Sequence, residues 1–231
     1  MYVYWSGSNG IIVPLGANYL DIYKNTAECL DEIVSWMITE YGPEKALIIA
    51  IEPKTNEPPA WSVPADVGEA LTIVSMMSPE NQPFVGVNPE TCHSQIGGKR
   101  YAMELGLAMA AGRLFHTHLN GGSGFKFDED RAFGDIDFGV AVETVITLRE
   151  GNYCGAIGFD VQPLPSDTDD QQCASVERSV KNLKRAIIIA NSVDMEELTS
   201  FRWTGDNASI AEWFADAVCG IEDDIVNDFE F

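Results

Sequence analysis

Four junctions in this chain place a metal-ligating side-chain type where a buried apolar run gives way to a loop. They are Ile51-Glu52-Pro53-Lys54, Val87-Asn88-Pro89-Glu90, Leu114-Phe115-His116-Thr117-His118 and Ile157-Gly158-Phe159-Asp160. Singly, each has an ordinary explanation. Glu52 or Glu90 alone reads as a helix-start or solvated acid, His93 or His118 as a hydrogen-bonded structural histidine, and Trp5 as core. In order, however, Glu52, Glu90, His118 and Asp160 end successive strands, and in a barrel such positions converge on one axis at one rim. His93 follows Glu90 by a helical turn, and Asp128 and Asp130 sit two residues apart in Phe127-Asp128-Glu129-Asp130. That acidic loop matches an EF-hand only loosely, since Gly134 falls at the seventh position rather than the sixth. These seven groups, mostly oxygen donors, can hold two divalent cations if one carboxylate bridges them. Two hard cations stabilise charge developing on neighbouring oxygens, which suits a sugar carbonyl and its adjacent hydroxyl. Lys54 would add a fixed positive charge beside them, and the Trp5 indole a flat apolar wall.

The elements that must position these residues alternate strand and helix. Tyr2 to Trp5 reads as a short aromatic strand ending in a turn over Ser6-Gly7-Ser8-Asn9-Gly10. Asn25 and Glu28 have capping-box spacing and predict a helix start. Its apolar stripe is Leu30, Ile33, Val34 and Met37, and Gly42-Pro43 ends it. Ala46 to Ile51 reads as a strand covered on both faces, and Pro53 and Pro58 stiffen the loop beyond. A helix after Pro64 carries Val67, Ala70, Leu71 and Val74. Then come a strand at 84–87, a helix through Met103, Leu107 and Ala110, and a strand at 114–118. A long Gly-rich acidic loop over 120–137 precedes a helix with Val142, Val145 and Ile146, a strand at 156–159, and a helix over 176–190. One or two amphipathic helices follow Asp194, then an acidic tail around Glu222-Asp223-Asp224.

This alternation predicts an α/β chain with a parallel sheet. It reads as a partial (β/α)8 TIM barrel of about five parallel strands with C-terminal helices. Residues 1–192 form the incomplete barrel domain, and 193–231 the helices and tail. A closed barrel needs eight strands, so the expectation is a barrel without its opening units, with two sheet edges available to another chain.

Composition narrows the partners. With 231 residues and 45% hydrophobic content, the chain can bury one sizeable core. Fourteen Lys and Arg against thirty-six Asp and Glu give a net charge of −22, which opposes nucleic acid and anionic membranes. The N-terminus has neither a basic region nor a long apolar run, so no signal peptide or membrane span is expected. Five scattered cysteines without C-x-x-C spacing read as buried free thiols in a reducing, cytoplasmic compartment.

A set of ordered motifs completes the reading. They are Tyr2-Val3-Tyr4-Trp5-Ser6-Gly7, Ile51-Glu52-Pro53-Lys54 with Asn56-Glu57-Pro58, Gly86-Val87-Asn88-Pro89-Glu90 with His93, His118-Leu119-Asn120-Gly121, Lys126-Phe127-Asp128-Glu129-Asp130 and Gly158-Phe159-Asp160. Together they resemble the xylose isomerases and the divergent sugar-isomerase-like proteins of the same barrel, over roughly the first 190 residues. The resemblance implies aldose–ketose isomerisation by a metal-assisted hydride shift between C1 and C2 of a small sugar. It implies two divalent cations (Mg, Mn or Co), one held by Glu52, Glu90, His118 and Asp160, the other by Glu90, His93, Asp128 and Asp130. Lys54 would contact the substrate oxygen at C1, with Trp5 and Asn120 also in the sugar pocket.

Three departures from the family pattern accompany it. Position 118 is normally an aspartate; His118 removes a negative charge and adds a softer ligand, favouring Mn or Co over Mg. Gln162 stands where a lysine is usual. The opening βα units are expected to be missing, with the histidine–aspartate pair that assists ring opening. The chain therefore reads as a truncated or divergent isomerase, acting as a homo-oligomer or with a complementary chain. The alternative is a non-catalytic fragment or subunit that needs such a chain to complete the barrel. A metal-dependent DNA-repair nuclease of the same superfold is a remote third reading, opposed by the charge.

Overall fold

A computed structural model describes residues 1–5, 15–57, 61–125 and 127–220. The turn expected at 6–10, Pro58, Lys126 and the acidic tail lie outside the described residues. Strand β1 (Tyr2–Tyr4) is followed by α1 (Tyr19–Tyr41), β2 (Ile49–Ile51), α2 (Val67–Met76), β3 (Val85–Val87), α3 (Thr91–Ile96), α4 (Tyr101–Ala110) and β4 (His116–His118). Then come α5 (Phe138–Glu150), β5 (Ala156–Gly158), α6 (Ala174–Ser192), α7 (Met195–Thr204) and α8 (Asn207–Cys219).

Strands β1, β2 and β3 pair in parallel in chain order, as do β4 and β5. Backbone bonds carry the arrangement across the junction between the two sheets. The Val87 amide donates to the Arg113 carbonyl at 2.8 Å, Phe115 to Val87 at 3.1 Å and His118 to Pro89 at 3.0 Å. The result is an arc of five parallel strands, a partial TIM barrel whose sheets do not close among the described residues. Every strand end in such an arc faces the same rim, which is what brings distant loops together.

The strands are shorter than the apolar runs that announce them. Of Ala46 to Ile51, only Ile49–Ile51 pair as a fully buried strand, while Leu47 and Ile48 are exposed. The first helix begins well before Asn25. Asn18 caps it, its side chain accepting from the Leu20 amide at 3.2 Å. Ile22 and Tyr23 already pack against the core, so burial extends the helix N-terminally through what looked like a loop. Its buried face is Ala27, Leu30, Val34 and Met37, and Ile33 turns outward. Gly42, at φ 80°, ends it as expected.

Helix α4 corrects a second expectation. Met103 and Leu107 are 70% and 45% exposed, while Tyr101, Glu104, Leu105 and Ala108 form the buried face. The segment is apolar almost all round, so periodicity cannot choose a face. A polar contact does: Glu104 Oε2 accepts from the Val67 amide at 2.8 Å at the start of α2 and so must point inward. The cysteine expectation is also corrected. All five thiols are free, but only Cys92 is buried; Cys29, Cys154, Cys173 and Cys219 lie on exposed residues.

Two apolar clusters support the arc. One joins β2 and β3 to α1 and α2 through Val34, Ile51, Ile73 and Val87. The other lies under α4, α5 and α6 and includes Leu119 and Phe133, and residues of the following segment, Val193 and Leu198, pack into it. Leu105→Ala, at a fully buried position, is expected to cost about 2–5 kcal/mol of stability. Leu107→Ala should cost less than about 1 kcal/mol. Urea unfolding of the two variants checks this, and equal losses would contradict the assigned face of α4.

Candidate metal centre

The rim of the arc gathers the residues singled out in the sequence. The Glu52 amide still donates to the Tyr4 carbonyl at 2.7 Å, so its side chain leaves β2 at a defined angle. Glu90 follows β3 and opens α3, and a parallel bridge to His118 aligns it with β4. The Pro89 carbonyl just before Glu90 accepts from the His118 amide. In β4, His116 and His118 share one face and Thr117 takes the other, where its hydroxyl bonds that of Tyr101. Gly158 lies opposite His118 in register. A Cβ there would come within 2.9 Å of both His116 and His118, so glycine leaves the space the two rings occupy.

Glu90 is the centre of the cluster. It is 1% exposed, and its two oxygens face different neighbours. Oε2 lies 3.2 Å from His118 Nδ1, and Oε1 lies 3.1 Å from His93 Nε2. On the first side, Glu52 Oε2 is 2.8 Å and Asp160 Oδ2 3.7 Å from the same His118 nitrogen. On the second, Asp128 Oδ2 is 2.7 Å from His93 Nε2. The ligand atoms of Glu52, Glu90, His118 and Asp160 all lie within 4.8 Å of one another, as do those of Glu90, His93 and Asp128. Glu90 belongs to both groups.

The donor chemistry fits divalent cations. Carboxylate oxygens and imidazole nitrogens converge, buried or half-buried except for the exposed Asp160, a set suited to hard or borderline cations. His93 Nδ1 and Asp128 Oδ1 are also buried without a hydrogen-bond partner, and leaving such atoms unpaired is costly. Both belong to residues of the second group.

Burial and neighbouring charges set the protonation of these side chains in opposite directions. Burial pushes Glu90 up to about 6, with Glu52 and Asp128 adding to the rise against the pull of His118 and His93. Burial works against charge on His118, yet its bonds to Glu52 and Glu90 win and raise it to about 10. The same competition raises His93. Asp128 resists burial because His93 and Lys54 hold it below the ordinary carboxylate range. The surrounding carboxylates thus draw both imidazoles towards their protonated form.

Lys54 Nζ donates to Asp128 Oδ2 at 2.9 Å and lies 5.4 Å from the Trp5 ring centroid. Trp5 is partly exposed at the mouth of the cluster rather than in the core. Asp130 joins neither ligand group. Its carboxylate accepts from Asn120 Nδ2 at 3.0 Å and from Gln162 Nε2 at 2.7 Å, and burial, then Asp128, Glu90 and Asp160, push it up to about 7. Asn120, expected at the sugar, is 1% exposed. Its amide also donates to Glu90 Oε1 at 2.8 Å, and its oxygen accepts from the Cys92 amide at 2.9 Å. It braces the carboxylates of Glu90 and Asp130.

Sequence reasoning passed over three contributors. Glu57 Oε2 accepts from the Asp128 amide at 2.7 Å and fixes the acidic loop. Asn88 is fully buried and donates to Glu52 Oε2 at 2.7 Å. His116 bonds Asn88 at 2.8 Å. An amide right after a buried strand was the available signal for Asn88; the alternation with His118 was the signal for His116.

Comparison with known proteins identifies the family and the fold. A family model described as xylose isomerase-like TIM barrel matches residues 2–173. The xylose isomerase of Streptomyces lividans is 33% identical over 178 residues, which cover 77% of this chain and 44% of that protein. The chain thus matches less than half the length of this relative. Among solved structures, a xylose isomerase domain protein from Alicyclobacillus acidocaldarius superposes with a TM-score of 0.55 at 13% identity, over 80% of this chain and 64% of that one. An Escherichia coli 3-keto-D-glucoside 4-epimerase gives 0.55 at 16% identity, over 78% and 63%. An L-ribulose 3-epimerase gives 0.53 at 14% identity, over 84% and 66%. At these identities the structures speak for the barrel fold alone.

The raised His118 sets a pH dependence. A group raised on folding contributes stability that is complete below its unfolded value, ordinarily 6.5, and is lost as pH climbs towards about 10. A cation held by His118 would have to displace that proton, so its binding would gain with pH. With chelator present, the melting temperature is expected to fall between pH 6.5 and 9. The increment produced by excess Mn2+ should be larger at pH 8.5 than at pH 6.5. Thermal melts in matched buffers check both slopes, and a flat chelated profile would contradict the placement of His118 between the two carboxylates.

Proposed function

We propose, from the premise that this chain belongs to the xylose isomerase-like TIM barrel family, that it carries the two-cation centre of an aldose–ketose sugar isomerase. The observation that carries the reading is Glu90, whose two oxygens face two separate ligand groups that share no other residue. Glu52, Glu90, His118 and Asp160 would hold one cation. Glu90, His93 and Asp128 would hold the other, with Asp130 reaching it only if it leaves Asn120 and Gln162.

Bound cations would polarise a sugar carbonyl and its neighbouring hydroxyl. The chain's own residues do the rest. Lys54 is held by Asp128 at the edge of the centre, where its ammonium can bind the substrate oxygen at C1. The Trp5 ring beside it offers a face against which a sugar can lie. Asn88 and Asn120 hold Glu52 and Glu90 so that neither carboxylate swings when charge shifts on the substrate.

A second reading is a metal-binding subunit that turns over only with a complementary chain or a second copy. It is favoured by the sheet: among the described residues β1 pairs only with β2 and β5 only with β4, leaving two edges able to accept a strand.

Turnover on aldopentoses and aldohexoses with Mn2+ or Co2+, followed by NMR of the products, tests the isomerase reading. Ketose formation is expected, reduced about 100-fold in kcat by Lys54→Met, with Co2+ affinity kept. Formation of an epimer instead would move the protein to the epimerases of this superfamily. Absence of turnover in a monomer, restored on association, would select the second reading. Independently, His118→Asp replaces a neutral nitrogen ligand by a hard anionic oxygen and should shift preference from Co2+ towards Mg2+. Competition titration reads this shift, and an unchanged ratio would place residue 118 outside the centre.

A further inference from the structure

His116 is a buried histidine that belongs to neither ligand group. It lies two residues before His118 on the same face of β4, its ring perpendicular to that of His118 with centroids 4.9 Å apart. Its Nδ1 is 2.8 Å from Asn88 Oδ1. The chemistry of the next contact fixes the orientation of Asn88, whose Nδ2 lies 2.7 Å from Glu52 Oε2 and 3.1 Å from His118 Nδ1. A carboxylate oxygen only accepts, so the end of Asn88 that lies 2.7 Å from Glu52 Oε2 is its NH2. The other end is then the amide oxygen, and the His116 nitrogen facing it must carry a hydrogen.

The bond from His116 therefore has a consequence for Glu52. An asparagine amide turned by 180° would aim its oxygen at the carboxylate and repel it. In the observed orientation the NH2 holds Oε2, beside His118 Nδ1 at 2.8 Å. We infer that His116 is a positioning residue: by donating to Asn88 it sets the direction of that amide, and through it the orientation of Glu52 toward the first cation. Gly158 supports the arrangement from β5, since a Cβ there would press on His116 Cε1 at 2.9 Å. The remaining link to the second group is longer, since Glu52 Oε1 lies 3.9 Å from His93 Nδ1 against 2.7 Å from Asn88 to Oε2, so the effect falls chiefly on the first cation.

This inference rests on the two-cation reading above, and the test separates them. The full chain is titrated with Co2+, followed by visible absorption and calorimetry. Asp160→Asn and Asp128→Asn assign the signals to the first and second cation respectively. His116→Phe keeps a ring but removes the donor. It should weaken the first Co2+ about 10–100-fold, the range found when an outer partner of a ligand is lost, and leave the second within about twofold. His116→Asn places an amide nitrogen where Nδ1 was and should recover most of the loss, which a merely space-filling role for the ring would not produce. Asn88→Asp keeps an acceptor for His116 but removes the donor to Glu52, and should reproduce the selective weakening. It carries the test alone if His116→Phe does not fold.

First-cation affinity within twofold of wild type in these variants would overturn the inference. So would equal weakening of both cations, or a His116→Asn variant no better than His116→Phe. Wild-type protein that binds no Co2+ would sink the two-cation reading and this inference with it. Normal binding by wild type and variants alike would sink this inference alone.

Discussion

Buried negative charge around Glu90 is the constraint on which this molecule is organised. Glu52, Glu90 and Asp128 come together where water is largely excluded, and like charges at such distances repel strongly in a low-dielectric setting. Something positive has to stand between them. Without a cation, His118 lies between Glu52 and Glu90, and His93 between Glu90 and Asp128. Lys54 adds its charge from the side. These groups make the cluster tolerable, and a cation held by the same imidazole nitrogens would have to displace their protons.

The scaffold serves that constraint by removing freedom. Parallel pairing in chain order puts successive strand ends on one rim, and two amides bind the carboxylates in place. Asn88 holds Glu52, and Asn120 joins Glu90 to Asp130. Beneath them the Tyr101 hydroxyl reaches Thr117 and the His118 carbonyl, anchoring the end of β4 to α4. Gly158 keeps a gap for two rings where any side chain would intrude. Most of the polar bonds at the rim thus run between elements far apart in sequence, so the centre and the barrel arc stabilise each other.

Around this centre the surface differs in character. The strongly acidic composition adds long-range negative potential that attracts cations and discourages polyanions. Trp5 and Lys54 sit beside the centre, the one apolar and flat, the other cationic. None of the described helices is long and apolar enough to cross a membrane.

Much of this was legible in the sequence, for a physical reason. Fully buried parallel strands have to be apolar throughout, so β2 and β3 announce themselves, and the polar residue that ends each run marks the rim. Glu52, Glu90, His118 and Asp160 could be aligned on that basis alone, and His93 from its helical spacing to Glu90. Amphipathic periodicity sufficed for α2 and α5. It failed for α4, apolar on every side, where only the reach of Glu104 to the start of α2 selects a face. It also failed for the start of α1, whose first turns are held by core contacts rather than by a cap at Asn25. The hydrogen-bond partners lay further out of reach. That Asn120 braces Glu90, that Asp130 is held by Asn120 and Gln162, and that His116 acts through Asn88 all depend on distances between residues far apart along the chain. Local sequence decides which residues face the rim; only the packing of the strands decides which of their atoms touch.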